Sequence, residues 1–300
     1  GDAMNGLLLV DKPAGPTSHD VVQHIRRAAA LRKVGHTGTL DPAATGLLVL
    51  CLGRATRIAD FLSGMDKVYE GVLRLGLVTS SHDLDGEVFE ERPVPDLTAG
   101  DLENAFAAFT GEILQQPPMV SAVKIGGERL YKRARRGEEI ERPARRVTVH
   151  EFSLLSFDGR DAAFRLRCST GTYARVLCFD VGTRLGCGGA LAALRRLSVG
   201  DYSVANAAAL DALDSSDAVG KRLLPIENAL ALPRVKVREQ GLNLVMHGRP
   251  LGGEALAGEC PVREGWIQIN AASGELLALG EVSSDALGVH ILPRRVLCHG

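Results

Sequence analysis

A glycine-rich loop set between apolar runs constrains the fold of this chain more than any other segment. It extends from Gly35 to Gly46 with the sequence GHTGTLDPAATG, and the apolar run Leu47–Cys51 follows it. Asp before Pro most often only starts a turn, but glycines also let a backbone approach a ligand closely. No Gly-Lys-Ser/Thr follows the glycines, so the loop is not a phosphate-binding P-loop. Held between two buried strands, the Asp41 carboxylate is a candidate nucleophile or base, with His36 five residues away.

Hydrophobic periodicity predicts an α+β body with a mixed, mostly antiparallel sheet and flanking helices. The expected strands are Leu7–Val10, Leu47–Cys51, Lys67–Leu77, Val147–Phe152 and Phe164–Cys168. The expected helices are one capped by Ser18, one around Arg57 to Phe61, and those at Thr98–Thr110, Tyr173–Leu185 and Gly189–Leu197. From Pro233 onward, short β-like runs broken by glycine and proline predict a small all-β, barrel-like module. The predicted domains are residues 4–232 and 233–300.

Charge is distributed in blocks, although the formal net charge is −1. Residues 83–112 carry nine acidic side chains and one basic one, whereas residues 124–146 carry nine basic and four acidic ones. A run of this kind is most often a solvated helix face. The prolines and paired glycines around it favour instead an insertion at about 117–146 that grips phosphates. The candidate RNA-binding residues are Arg129, Lys132, Arg133, Arg135 and Arg136.

Two further segments offer side chains for chemistry. In the sequence CSTGTYAR, Arg175 lies on the first turn of a predicted helix. It is either a surface arginine or the partner that keeps a buried carboxylate ionised. In KVYEG, Tyr69 lies on a predicted strand, where it either packs in the core or stacks on a base.

Several classes of protein and site are excluded by the sequence. The six cysteines are dispersed without a C-x-x-C pair, which argues against a disulfide scaffold and against structural zinc and favours a cytoplasmic protein. The eight histidines form no H-E-x-x-H motif, and no dinucleotide fingerprint is present. No apolar run approaches the length of a membrane span. We therefore expect an enzyme without metal or organic cofactor.

The combination of motifs closely resembles the TruB family of tRNA pseudouridine synthases. The matching segments, in one order over about residues 6 to 200, are Asp11-Lys12-Pro13 with Thr17-Ser18, the loop from Val34 to Gly46, Lys67-Val68-Tyr69, Gln116 to Lys124 with Tyr131, Gly171 to Arg175, Gly186-Cys187-Gly188 and Leu194-Arg195-Arg196. The last 65 or so residues resemble the family's PUA-type RNA-binding module more weakly, by their position and by their short β-like runs broken by glycine and proline.

The resemblance implies the pseudouridine synthase fold and a role for each matching residue. Asp41 would attack uridine 55 in the T-loop of tRNA, at C6 of uracil or at C1′ of the ribose. Arg175 would pair with this carboxylate, and Tyr69 would stack on the flipped base. His36 would help to hold the base out of its stack. Leu194 would line the base pocket.

Supporting roles are implied as well. Lys12 would stabilise the loop beside the substrate, and the basic insertion would close over the T-arm of tRNA. The resemblance further implies a monomer that needs no protein partner and no cofactor. Two alternatives stay open: a synthase for another tRNA or rRNA uridine, and a tRNA-binding or tRNA-folding factor without catalysis.

Overall fold

The computed structural model describes residues 4–118, 124–125, 128–138 and 140–297, with side chains except at 124–125, 129–131 and 134. The strands are β1 (Gly6–Lys12), β2 (Val34–His36), β3 (Thr45–Leu52), β4 (Lys67–Leu75), β5 (Leu77–Thr79), β6 (Val88–Glu91), β7 (Gly111–Gln115), β8 (Lys124–Ile125), β9 (Glu128–Arg129), β10 (Arg145–Phe157), β11 (Asp161–Cys168), β12 (Gly189–Val199), β13 (Tyr202–Ser203), β14 (Ala208–Ala209), β15 (Arg234–Lys236), β16 (Gly265–Asn270), β17 (Leu276–Asp285) and β18 (Gly288–Val296). The α-helices are α1 (Ser18–Ala29), α2 (Ala59–Ser63), α3 (Ala99–Ala108), α4 (Leu130–Arg135), α5 (Ala174–Arg184), α6 (Ser216–Arg222) and α7 (Glu239–Met246).

A mixed sheet of ten strands forms the body, in the order β14-β1-β3-β12-β4-β11-β10-β7, with β13 beside β12 and β2 beside β3. Within the described residues, its neighbouring strands are antiparallel except at β1–β14 and β3–β12. Helices α3 and α5 pack on the β4–β11–β10 part of the sheet, and α1 and α6 pack on β1 and β3. The expected fold class, a mostly antiparallel sheet with flanking helices, is confirmed.

The strand β1 shows how the sequence divides its apolar residues between two cores. Because side chains alternate across a strand, Leu8 and Val10 pack with α1, whereas Leu7 and Leu9 face the opposite side. All four are nearly inaccessible to solvent. A continuous apolar run therefore marks a strand that is buried on both faces.

The helix predicted at Gly189–Leu197 is wrong, because these residues form the strand β12. Alanine and leucine favour helices in isolation, and the segment is rich in both. In the folded chain it lies between β3 and β4, whose backbone groups it pairs with on both sides. Tertiary pairing thus overrides local propensity.

Ser18 does not cap α1 as predicted. The cap is Thr17, whose side chain accepts from the backbone N–H of Asp20 while the Asp20 carboxylate accepts from that of Thr17. The Ser18 hydroxyl instead donates to the Leu40 carbonyl at 3.0 Å and accepts from the Leu40 N–H at 2.9 Å. It thereby links α1 to the residue before Asp41.

The C-terminal strands form a separate sheet in the order β15-β16-β17-β18. Two features differ from the expected all-β, barrel-like module. Helix α7 packs against this sheet, and within the described residues β15 and β18 do not pair, so the sheet is open. Leu276, Leu279 and Leu297 share a core with the outer face of β1 and β3, and the rings of Phe61 and Trp266 meet edge to face at 4.8 Å.

Among the described residues, no helix combines the length and apolar character that crossing a membrane requires.

A lysine is buried where β4 begins. The Lys67 ammonium donates to the Ser63 carbonyl at 2.6 Å and to the Thr170 hydroxyl at 3.1 Å, and the residue is 6% exposed. Burial, together with the nearby Arg196 guanidinium, lowers the pKa of Lys67 to about 8. The unfolded chain therefore binds a proton at this side chain that the folded protein lacks between about pH 8 and pH 10.4.

Replacing Lys67 by Met tests this assignment through the pH dependence of stability. Because stability rises with pH wherever the unfolded state binds more protons, the free energy of unfolding of wild type should gain about 2–3 kcal/mol over the variant between pH 7 and pH 10. Buried thiols such as Cys51, whose pKa burial raises to about 12, act in the opposite direction but do so in both proteins. Urea unfolding at several pH values measures the difference.

The exposed Lys33 provides the matched control, because a Lys33→Met variant should differ from wild type by a constant amount across the same pH range. A flat difference for Lys67→Met would contradict the lowered pKa.

Candidate active site

The loop that carries Asp41 is anchored on one side by Lys12, at the end of β1. This side chain is inaccessible to solvent, and its ammonium donates to the carbonyls of Pro13 at 2.8 Å, Pro16 at 2.9 Å and Pro42 at 3.1 Å. Burial lowers the pKa of Lys12, and the nearby Asp41 carboxylate opposes this shift. All three ammonium protons are engaged by carbonyls, so the geometry is that of a group that holds the loop rather than one that reaches into the cleft.

Arg196 anchors the loop from the other side, and it is 2% exposed. Its guanidinium donates to the carbonyls of Leu47 at 2.8 Å, Gly38 at 2.9 Å and Thr39 at 3.4 Å. No role was predicted for Arg196. Its partners are backbone carbonyls, which every residue has, so no acidic side chain in the sequence marks it as part of a site.

Gly46 shows how closely the loop and β12 approach each other. Its φ is +107°, and a Cβ at this position would lie 2.2 Å from the Arg196 carbonyl oxygen. Both the left-handed backbone and the lack of space require glycine here. The end of the loop is thereby pressed against β12.

Arg175 reaches the loop from the start of α5. The helix begins at Ala174, and the backbone N–H of Tyr173, its N-cap, donates to the Gln115 side-chain carbonyl at 2.9 Å. The guanidinium lies 5.9 Å from the centre of the Tyr173 ring. The first helical turn therefore directs a buried cation toward the loop that carries Asp41.

Asp41 and Arg175, which the sequence places far apart, meet in the structure. Nε of Arg175 lies 3.4 Å from a carboxylate oxygen of Asp41, whose side chain is 44% exposed. A second carboxylate, Asp83, lies 3.8 Å from the same guanidinium. It accepts from the Ser81 hydroxyl and from the backbone N–H of Asp85. The arrangement leaves Asp41 open to solvent on one side while a buried cation faces it on the other.

The cleft beside Asp41 is lined by loop residues and by β12. Its walls include Asp83, Leu191 and Leu194. A larger hollow of about 550 Å³ lies behind the loop, where Thr45 contributes to its wall and Asp41 does not. Asp41 and Asp83 line the smaller cleft, so the site is assigned there.

Tyr69 lies on β4 directly opposite Arg196 in the β4–β12 pairing. Together with Leu194, it packs at the seam between the two cores that flank the sheet. Burial raises the pKa of the Tyr69 hydroxyl, and the Arg196 guanidinium opposes this shift. The hydroxyl is thus protonated near neutral pH. His36 ends β2, where it pairs with Leu50.

The basic insertion contains the hairpin β8–β9 and the helix α4. Its arginines are not all available for phosphates. The Arg136 guanidinium contacts both Glu128 oxygens, at 2.8 and 2.9 Å, and Glu138 at 2.7 Å, while Arg133 contacts Glu128 at 3.4 Å. Pairing with these glutamates leaves fewer of the basic side chains of the insertion available to bind phosphates.

The remaining predicted residues of the insertion are placed differently. Lys132 and Arg135 are exposed. The side chain of Arg129 lies outside the described residues, as do residues 119–123 and the side chain of Tyr131 from the matching motif. In the described part of the chain, no group of three or more His, Cys, Asp or Glu side chains is arranged to hold a metal ion.

Comparison with known proteins covers nearly the whole chain. The family model "TruB family pseudouridylate synthase (N terminal domain)" matches residues 26–174, and "tRNA pseudouridylate synthase B C-terminal domain" matches residues 175–231. A tRNA pseudouridine synthase B of Opitutus terrae is 48% identical over 228 residues, which cover 75% of this chain and 95% of that protein. That of Thermobifida fusca is 44% identical over 292 residues, covering 94% and 96%.

A solved structure shares the fold. A chain of a Cbf5-Nop10-Gar1 complex superposes with a TM-score of 0.74 at 28% identity, covering 97% of this chain and 84% of that one. The family matches span the loop, β4, β12 and the start of α5, all of which build the cleft around Asp41. The chain belongs to the TruB family of pseudouridylate synthases.

Proposed function

We propose that this protein isomerises uridine 55 in the T-loop of tRNA to pseudouridine, with Asp41 as the catalytic residue. The observation that carries the proposal is the Asp41 carboxylate, half-exposed in a cleft and 3.4 Å from the buried Arg175 guanidinium. The relatives are named tRNA pseudouridine synthase B, which supports tRNA as the substrate.

The reaction needs no external oxidant or reductant. The Asp41 carboxylate attacks the nucleotide at C6 of uracil or at C1′ of the ribose. The N1–C1′ bond breaks, the uracil rotates, and a C5–C1′ bond forms. C5 loses its proton and N1 gains one, so the product is an isomer of the substrate and the carboxylate is regenerated.

The neighbouring side chains act on the position of the base. A uridine inside a folded T-loop has to leave its stack to reach Asp41. Tyr69 and Leu194 offer an aromatic face and an apolar wall for the flipped base, and His36 helps to hold it out of the stack. Lys12 holds the loop in place through its hydrogen bond to the Pro42 carbonyl.

Each of the two sheets belongs to a domain with its own role. Residues 4–232 form the catalytic domain, and residues 233–300 form an RNA-binding module of the PUA type. Within the catalytic domain, the insertion at about 117–146 binds the T-arm backbone through Arg129, Lys132, Arg133, Arg135 and Arg136. Its cationic side chains lie on a short hairpin and helix outside the ten-stranded sheet, which supports a role in gripping RNA.

Replacing Asp41 by Asn tests the catalytic assignment. The amide is nearly isosteric but is not a nucleophile, so pseudouridine formation on a T-arm stem-loop should fall by more than about a thousandfold. Binding of tRNA should stay within about threefold of wild type. Single-turnover assays and filter binding measure the two quantities. The exposed Asp96 provides the control, since Asp96→Asn should leave both unchanged.

The target uridine is tested by mapping pseudouridines in the RNA of cells that lack this protein. Loss at position 55 alone supports the proposal. Loss at another tRNA or rRNA uridine would replace the substrate but keep the chemistry. A full complement of pseudouridines, together with normal activity of Asp41→Asn, would favour a binding or folding factor.

Neutralising the insertion tests its contact with phosphates. The triple variant Arg133→Gln, Arg135→Gln and Arg136→Gln should weaken tRNA binding and reduce the magnitude of the slope of log K against log salt by about 1 to 2, because each lost phosphate contact removes counterion release while Arg133 and Arg136 are also paired with Glu128. An unchanged slope would contradict this role.

The matched control removes three cations elsewhere, from the ends of α5 and α6: Arg184→Gln, Lys221→Gln and Arg222→Gln. We expect that variant to keep the wild-type slope.

A further inference from the structure

We propose that Arg196 is a positioning residue for the reaction: its buried guanidinium holds the Asp41 loop against β12, beside Tyr69 of β4, and so fixes the distance between the attacking carboxylate and the base. The proposal rests on the function proposed above, because it presumes that Asp41 and Tyr69 act on the same nucleotide.

The strand β12 places Arg196 between the two groups that it connects. In the sheet, Arg196 pairs with Gly46 at the end of the loop on one side and with Tyr69 of β4 on the other. The register of β12 shifts directly after this residue, between Arg196 and Ser198. Such a bulge locally redirects side chains. The guanidinium thereby comes to lie beneath the loop instead of in solvent.

The guanidinium satisfies three carbonyls that the loop cannot pair by itself. Gly38 and Thr39 belong to an irregular segment, and Leu47 is a buried residue of β3. A planar group whose five N–H donors are spread over three nitrogens can serve all three carbonyls at the same time. A lysine ammonium has three donors on one atom and cannot span the same set.

Contact with Gly38 is close as well as polar. A methyl group at Gly38 would lie 3.6 Å from a terminal nitrogen of Arg196, which is ordinary van der Waals contact. Alanine therefore fits at this position. The additional methyl groups of valine would push the guanidinium away from the loop.

Loss of this connection should slow the reaction without preventing binding. A displacement of about 1 Å between reacting groups costs on the order of a hundredfold in rate. We therefore expect Arg196→Lys to lower the single-turnover rate constant at saturating enzyme by about a hundredfold, and Arg196→Gln by more, with the Kd for tRNA within about threefold of wild type. Arg74→Lys, which weakens the ion pair with Asp161 at the far end of β4, should keep the wild-type rate constant.

A merely structural role predicts a different result. Partial unfolding would lower the fraction of active enzyme, measured by the reaction amplitude, and leave the rate constant of the folded fraction unchanged. If the Arg196 variants do not fold, Gly38→Val displaces the guanidinium without removing it or any other buried polar group. It should lower the rate constant without raising the Kd, and Gly38→Ala should not. Wild-type rate constants in every folded variant, Gly38→Val included, would overturn the proposal.

Hydrogen exchange separates this proposal from the function on which it rests. Amides in residues 37–47 should exchange at least about tenfold faster in Arg196→Lys or Gly38→Val than in wild type, whether or not the RNA is modified. Unchanged exchange would overturn the positional role by itself. A wild-type protein that forms no pseudouridine at position 55 would instead overturn the proposed function.

Discussion

Buried cations that donate to backbone carbonyls hold the central loop, and the rest of the site depends on them. A loop without regular pairing leaves carbonyl groups that need partners when they are shielded from water. Lys12 and Arg196 supply the donors from β1 and β12, two strands of the same sheet. Burying such charges is costly, and the carbonyl dipoles offset that cost only in one arrangement of the chain. The loop therefore takes on the rigidity of the sheet below it.

The strands of the body were predictable where side-chain pattern alone decides the fold. β1 and β3 are buried on both faces, so their apolar runs identify them without further information. β12 was not predictable, because its alanines and leucines suit a helix and only pairing with β3 and β4 makes it a strand. Helix α7 was likewise hidden in a segment whose glycines and prolines indicate turns.

The residues of the candidate site also fall into those that the sequence identified and those that only the structure identified. Asp41, Tyr69 and Arg175 were found through a family resemblance, since the residues that bring a loop, a strand and a helix start together are far apart in sequence. The structure places Asp41 and Arg175 in contact. Arg196 needed the structure, because its hydrogen-bond partners are carbonyls that every residue possesses. In the insertion, Glu128 shows why counting basic residues overestimates the cations that are free to bind phosphates: its carboxylate is paired with two arginines.

The outer face of β1 and β3 packs against the short helix α2, through Leu62, and against the C-terminal sheet. Leu276, Leu279 and Leu297 of the C-terminal sheet pack there, and Arg295 adds an ion pair to Asp60. A polypeptide that ended near residue 232 would carry this apolar face into water. During synthesis the C-terminal sheet leaves the ribosome after the body, so part of this apolar face stays exposed to water until that sheet has folded onto it.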